Sequence, residues 1–383
     1  MRSPTLAPAR FDEVRLEELR ARRSAKWRRY PPDVLPAWVA EMDFPLAPPV
    51  QATLAAAVER GDTGYAFAGE LAEAFAGFAA ARFGWTVDPA RTFLFADVMS
   101  GVAELVRTLT APGDGVVVNP PVYTPFFTTL RELGRAVVEV PLTAGRRLDL
   151  DRIDAAFAGG ARALLLCNPH NPTGTVVARE ELAALAELAD RHGAIVVSDE
   201  VHAPLTLPGA THTPYLEVGA QNGIALVSAS KAFNLAGLKC ALGVAGSARM
   251  AAALARVPAH VSYHAGHLGV LASIAAFREG GPWLDALVAH LDRQRERLAE
   301  LVRSELPGVA LVRPQAGYLA WLDCRGLRLG DDPAAVFLER GRVALSPGPP
   351  FGEQGRGFAR LNFGTSGELL AEAVRRIRAA IER

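Results

Sequence analysis

Ala163-Leu164-Leu165-Leu166-Cys167-Asn168-Pro169-His170-Asn171-Pro172-Thr173-Gly174 carries an apolar run straight into a rigid polar turn. Unbroken apolar residues suit a strand buried on both faces, and the Asn-Pro steps and the glycine end it abruptly. The plan recurs downstream. Residues 194–198 are largely apolar and lead into Asp199-Glu200-Val201-His202; residues 224–227 are apolar and lead into Ser228-Ala229-Ser230-Lys231-Ala232-Phe233-Asn234. Outward from this block, short apolar runs at 93–96, 116–118, 136–140 and 242–245 are separated mostly by helical periodicities. Alternating strands and helices with such strands predict an α/β fold whose sheet is covered on both faces. Open sheets of this kind bind ligands at the carboxyl ends of their strands.

The strand ends hold residues with chemistry. An asparagine in the 168–174 turn can present its amide to a bound ring, although Asn-Pro turns also occur with no ligand. An aspartate at the tip of a buried strand is costly without a partner. A protonated pyridine nitrogen would be such a partner; a helix cap or turn carboxylate is the plainer alternative. Two serines just before Lys231 suit a phosphate beside an amine nucleophile, and Lys239 adds a second cation eight residues on. A lone S-x-S-K also fits a surface lysine. The ordered set, asparagine turn, strand aspartate, strand lysine, favours a site.

The flanks suggest further organisation. Residues 10–30 are rich in Arg and Glu and are expected to form an amphipathic helix with a solvated charged face; a proline-rich connection follows. Helices are expected near 49–60, 70–83, 282–306, 333–340 and 367–382, and strands near 318–323, 343–345 and 358–362. The last third reads as a smaller α+β domain.

Composition narrows the function. Among 383 residues, 41 acidic ones balance 41 Lys plus Arg, so no global charge draws the chain to nucleic acid or anionic membrane. No run of about 18 apolar residues predicts a membrane span. The N-terminus lacks the apolar stretch of a secretory signal, so a cytoplasmic location is expected. Cys167, Cys240 and Cys324 form no C-x-x-C pair and read as buried free thiols. His170, His192, His212, His264 and His267 form no metal-like constellation; His192, before Gly193, reads as a helix end.

Taken together, N-P-x-N-P-T-G at 168–174, S-D-E-V-H at 198–202 and S-x-S-K-x-F-N at 228–234 resemble the class I/II aminotransferase superfamily, pyridoxal-5′-phosphate (PLP) enzymes of the aspartate aminotransferase fold. Lys26-Trp27, the run 35–44, His202, Tyr318-Leu319-Ala320-Trp321-Leu322-Asp323 and Gly355-Arg356-Gly357-Phe358-Ala359-Arg360-Leu361-Asn362 resemble its cystathionine β-lyase (carbon–sulfur lyase) branch. The likeness runs from about residue 24 to the C-terminus. It implies a large PLP-binding domain at 45–284, with a mostly parallel seven-stranded sheet. It also implies a small domain built from 1–44 and 285–383.

The resemblance also implies roles. Lys231 would hold PLP as an imine and carry the proton at Cα. Asp199 would pair with the pyridine nitrogen, Asn171 would bond the phenolic oxygen with His202 nearby, and Tyr123 would stack on the ring. Ser228, Ser230, Lys239 and the amides of Ser100 and Gly101 would hold the phosphate, joined by Tyr65 from a second subunit of a homodimer. Arg360 would clamp the substrate carboxylate, with Trp38, Val39 and Tyr318 lining the substrate end. The phosphate segment, Asp97-Val98-Met99-Ser100-Gly101-Val102, departs from the common Gly-rich form, and His264 and His267 stand where the branch tends to carry small or apolar residues. The implied reaction is α,β-elimination from an L-amino acid with sulfur at Cβ, L-cystathionine or a related cysteine thioether. Transamination is the alternative, and a protein keeping PLP only as a structural ligand is a third; retention of Lys231, Asp199 and Arg360 together argues against the last.

Overall fold

The computed structural model describes residues 11–382. Seven strands form the main sheet: β1 (Thr92–Phe95), β2 (Gly115–Val118), β3 (Ala136–Glu139), β4 (Ala163–Cys167), β5 (Ile195–Asp199), β6 (Gly223–Val227) and β7 (Ala241–Ala245). Their spatial order is β1-β7-β6-β5-β4-β2-β3. Every neighbouring pair is parallel except the two that involve β7. The mostly parallel seven-stranded sheet is thus as expected.

β4, β5, β6 and β7 are buried along their whole lengths, which is why they read as continuous apolar runs. Their side chains alternate between the two faces. Leu165, Cys167 and Val197 join the cluster that includes Phe126 and Leu105; Leu164, Leu166 and Val196 join the one that includes Leu182 and Leu185. Within β4 and β5, Cys167 is level with Asp199, so the asparagine turn and the aspartate emerge side by side. The single reversed strand matters for the site: β7 begins where its neighbours end, so Lys239, just before it, lies at their carboxyl edge.

The second sheet has four strands in the order Ser346–Pro347, Phe358–Asn362, Leu319–Asp323, Ala310–Val312, all antiparallel. Leu35–Pro36 pairs in parallel with Val343–Ala344, fastening the N-terminal segment to the last third of the chain. The helix Gly281–Glu305 links the sheets, and one continuous cluster runs from Phe11 and Phe44 through Leu287 to Val227 and Leu361. The contact of Gly174 with the small sheet leaves no room for a side chain. Its φ is +68°, an added Cβ would lie 2.4 Å from Pro314 Cβ, and its carbonyl accepts the amides of Gln315 and Ala316.

One expectation fails at the N-terminal end. Residues 11–30 form a short 3-10 helix, Phe11–Glu13, and two short α-helices, Leu16–Arg20 and Ala25–Arg28, instead of one amphipathic helix. Its charges are also not all solvated. Lys26 is 1% exposed and its Nζ donates to Asp43 Oδ1 at 2.7 Å, while Arg22 donates to the carbonyls of Asp43 and Phe44. Residue 10 lies outside the described residues.

Candidate active site

A cleft of about 240 Å³ opens at the carboxyl edge of the main sheet. Lys231, Asp199, Asn171, His202, Tyr123, Ser230, Lys239, Val39 and Arg360 all line it, so residues scattered over more than three hundred positions meet there.

Asp199 ends β5 and is buried. Its Oδ1 accepts the Val201 amide at 3.1 Å, and among the described residues no cation lies within ion-pair distance of it. Burial raises its carboxyl to about 6, against the lowering pull of the Val201 amide and Lys231. Lys231 follows β6. Its Nζ donates to the Ala40 carbonyl at 3.1 Å. Burial, reinforced by Arg360, lowers this amine to about 8, so a useful fraction is neutral near physiological pH. His202 is held neutral, pushed down to about 3 by burial and then by Lys231 and Arg360.

Arg360 lies in Phe358–Asn362 and is 6% exposed. It donates to Asn171 Oδ1 at 2.8 Å, Ser346 Oγ at 3.1 Å and the Trp38 carbonyl at 3.2 Å, while its buried Nε has no partner. Among the described residues it pairs with no carboxylate. Burial lowers it to about 10, so it remains a cation. A buried guanidinium with an open donor suits a ligand carboxylate.

The segment 38–44 forms a strap over this edge, and side chains from elsewhere take each of its carbonyls. Trp38 O accepts from Arg360, Val39 O from Asn362, and Ala40 O from Lys231 and Tyr318. Glu41 O accepts from Asn362 and Lys26, Met42 O from Asn234, and Asp43 and Phe44 from Arg22.

Several expected residues sit differently. The Ser228 hydroxyl donates to the Cys240 carbonyl at 2.6 Å and accepts the Ser230 amide, so it braces the turn and does not line the cleft. The Ser100 and Gly101 amides are likewise engaged: Ser100 N donates to Asp97 Oδ1 and Gly101 N to Asp97 O. The helix Val98–Leu109 instead brings Val98 and Met99 to the cleft, at the first amides of its N-terminus. The D-x-x-S capping box at Asp97 and Ser100 was the sequence signal for this. The Trp38 ring packs against Tyr30 and under Arg29, outside the cleft lining; only its carbonyl serves, by holding Arg360. Tyr318 is fully buried and acts on Ala40 from behind. Tyr65 is 88% exposed and does not line its own chain's cleft. His264 is exposed and His267 bonds Asp62 at 2.9 Å, so neither enters the cleft. Sequence reasoning missed Ser346, Cys167 and the Ala40 carbonyl, whose types carry no signal of their own.

Residues 39–377 match the model of the aminotransferase class I and II family. The chain belongs to that family. Curated relatives of this aminotransferase-family chain span nearly its whole length. A Mycobacterium tuberculosis protein named "Putative cystathionine beta-lyase" is 48% identical over 99% of this chain and 100% of its own. The cystathionine beta-lyase of Corynebacterium glutamicum is 38% identical over 96% and 99%. Among solved structures, the PLP-bound C-S lyase from Staphylococcus hominis superposes with a TM-score of 0.89, at 26% identity, over 97% of this chain and 98% of that one.

Proposed function

We propose that this chain is a PLP-dependent carbon–sulfur β-lyase that eliminates thiol from L-cystathionine or a related cysteine thioether, leaving pyruvate and ammonia. The observation that carries this reading is the convergence of Asp199, Lys231 and Arg360 in one cleft. The choice of lyase over transaminase is supported by the relatives' names.

The residues fit PLP. Asp199 is a buried carboxylate with no cation at ion-pair distance among the described residues, so a protonated ring nitrogen would offset the burial that lifts its pKa. With its oxygen taken by Arg360, Asn171 has its NH₂ left for the phenolic oxygen. Tyr123 would flank the ring, and Ser230, Lys239 and the Val98 and Met99 amides would hold the phosphate. When bound, PLP supplies the electron sink that stabilises negative charge at the substrate Cα.

The chain's own residues do the rest. Arg360 binds and orients the substrate carboxylate through the donor it has free. Lys231, with its lowered pKa, would hold the cofactor's aldehyde carbon, and once the substrate amine displaces it there, its freed amine would take the proton from Cα. The electrons of that C–H bond expel sulfur from Cβ as thiolate. Neutral His202 adds no second cation beside Lys231. Val39 and Ala40 cover the cleft, limiting water around the acidic Cα–H.

We read the chain as two domains, a large one at 45–284 and a small one combining 1–44 with 285–383; the pairing of Leu35–Pro36 with Val343–Ala344 supports the second. The assembly is a homodimer with shared sites. Tyr65, Phe67 and Tyr263 are 88%, 78% and 62% exposed, and His267 bonded to Asp62 ties together the two segments that carry them. Large exposed aromatics grouped in this way suit a self-complementary contact. A fully active monomer in light scattering would contradict it. The activity is tested by thiol release from L-cystathionine. Wild-type protein should release thiol continuously and Lys231→Ala should lose several orders of magnitude; retained release in that variant would refute the assignment.

A further inference from the structure

Asp97 uses one carboxylate for two purposes. Its Oδ1 accepts the Ser100 amide at 2.7 Å and caps the helix Val98–Leu109, while its Oδ2 accepts from Lys239 Nζ at 2.7 Å. Asp97, Val98, Met99, Ser230 and Lys239 all line the cleft. Lys239 is held there by its backbone. Its φ is +60°, an uncommon conformation for a residue with a side chain. Its carbonyl accepts the Gly266 amide at 2.7 Å, and the next carbonyl, of Cys240, accepts from Ser228.

Under the cofactor reading above, these residues receive the phosphate. The other cations lining the cleft are Lys231 and Arg360, which have their own tasks. A phosphate of about two negative charges therefore meets a carboxylate that already holds the ammonium it needs. Partial burial alone would raise the Asp97 carboxyl, but the bonds from Lys239 and Ser100 outweigh it and hold it below its usual value. Asp97 is thus charged throughout the neutral range. Two anionic acceptors would compete for one lysine, and their like charges would repel.

We propose that Asp97 limits the affinity of the cofactor site, because its carboxylate competes with the cofactor's phosphate for Lys239. The inference rests on the PLP reading and adds a residue that opposes the phosphate. An acid at the cap is not required by the helix, since asparagine caps equally well. Asp97→Asn therefore removes the charge and keeps the fold of the helix start.

The test compares full-length wild-type and Asp97→Asn proteins. Each is loaded with PLP and diluted, and the dissociation constant is read from the loss of visible absorbance. The same titration is made with pyridoxal, which has the ring and aldehyde but no phosphate. Lys239 and Asp97 are 54% and 36% exposed, so solvent screens the effect and the PLP dissociation constant should fall by at least about threefold. The pyridoxal constant should not change. PLP affinity that is unchanged or weaker, or an equal change for both ligands, overturns the proposal. Wild-type protein that binds no PLP overturns the cofactor reading and the proposal with it.

Discussion

Arg360 donates through Nη1 to Asn171 Oδ1 at 2.8 Å, joining side chains 189 positions apart. The bond ties the small sheet to the turn after β4. It also sets the direction of the Asn171 amide, since the oxygen is used and the NH₂ remains for a ligand. A residue at the substrate end thereby orients one at the cofactor end.

Arg360→Lys keeps a positive charge and loses the fork. A charge-assisted hydrogen bond is worth about 2 kcal/mol, so kcat/KM for L-cystathionine should fall roughly thirtyfold, mainly through KM. Steady-state kinetics with an unchanged KM would show that another group holds the carboxylate.

Asp199 makes stability depend on pH. Burial lifts its carboxyl from 3.8 to about 6, so the folded chain holds this proton more tightly than the unfolded chain. The resulting stabilisation is present below about pH 4 and is lost as pH rises through 6, which amounts to as much as about 3 kcal/mol. In protein stripped of cofactor, Asp199→Asn should therefore raise Tm at pH 8, and the gain should shrink toward pH 4. Melting curves showing the same gain at both pH values would count against a buried, ionised Asp199.

Lys26 and Asp43 form an ion pair whose side chains are 1% and 4% exposed. Breaking a buried pair leaves an uncompensated charge. Lys26→Met should cost about 3 kcal/mol in chemical denaturation, and Lys26→Met with Asp43→Asn should recover part of it. Equal stability of the single and double variants would mean that Asp43 finds another partner.

The sequence revealed what depends on strand ends. Asp199, Lys231 and Asn171 follow apolar runs, and burial on both faces makes those runs visible. Arg360 needed the resemblance, because nothing local tells an arginine in a strand from a structural one; Lys239 was legible as a second cation beside the Ser-x-Ser-Lys turn. The strap at 38–44 was legible as a motif but not as a mechanism. Its carbonyls act through partners such as Asn362 and Tyr318, hundreds of positions away. Lys26 was misread because a helical charge pattern looks the same whether its lysine meets water or Asp43. Ser228 was misplaced because its hydroxyl is spent on a backbone carbonyl, a contact that only the fold creates.

The most direct test of the lyase assignment is the yield of pyruvate from L-cystathionine with no α-keto acid present. Elimination returns the cofactor unchanged, so pyruvate, ammonia and thiol should accumulate in equal amounts over many turnovers per subunit, with the absorbance of PLP the same at the end as at the start. A halt after a single half-reaction, with cofactor converted to its amine form and restart only on adding an α-keto acid, would contradict elimination and identify a transaminase.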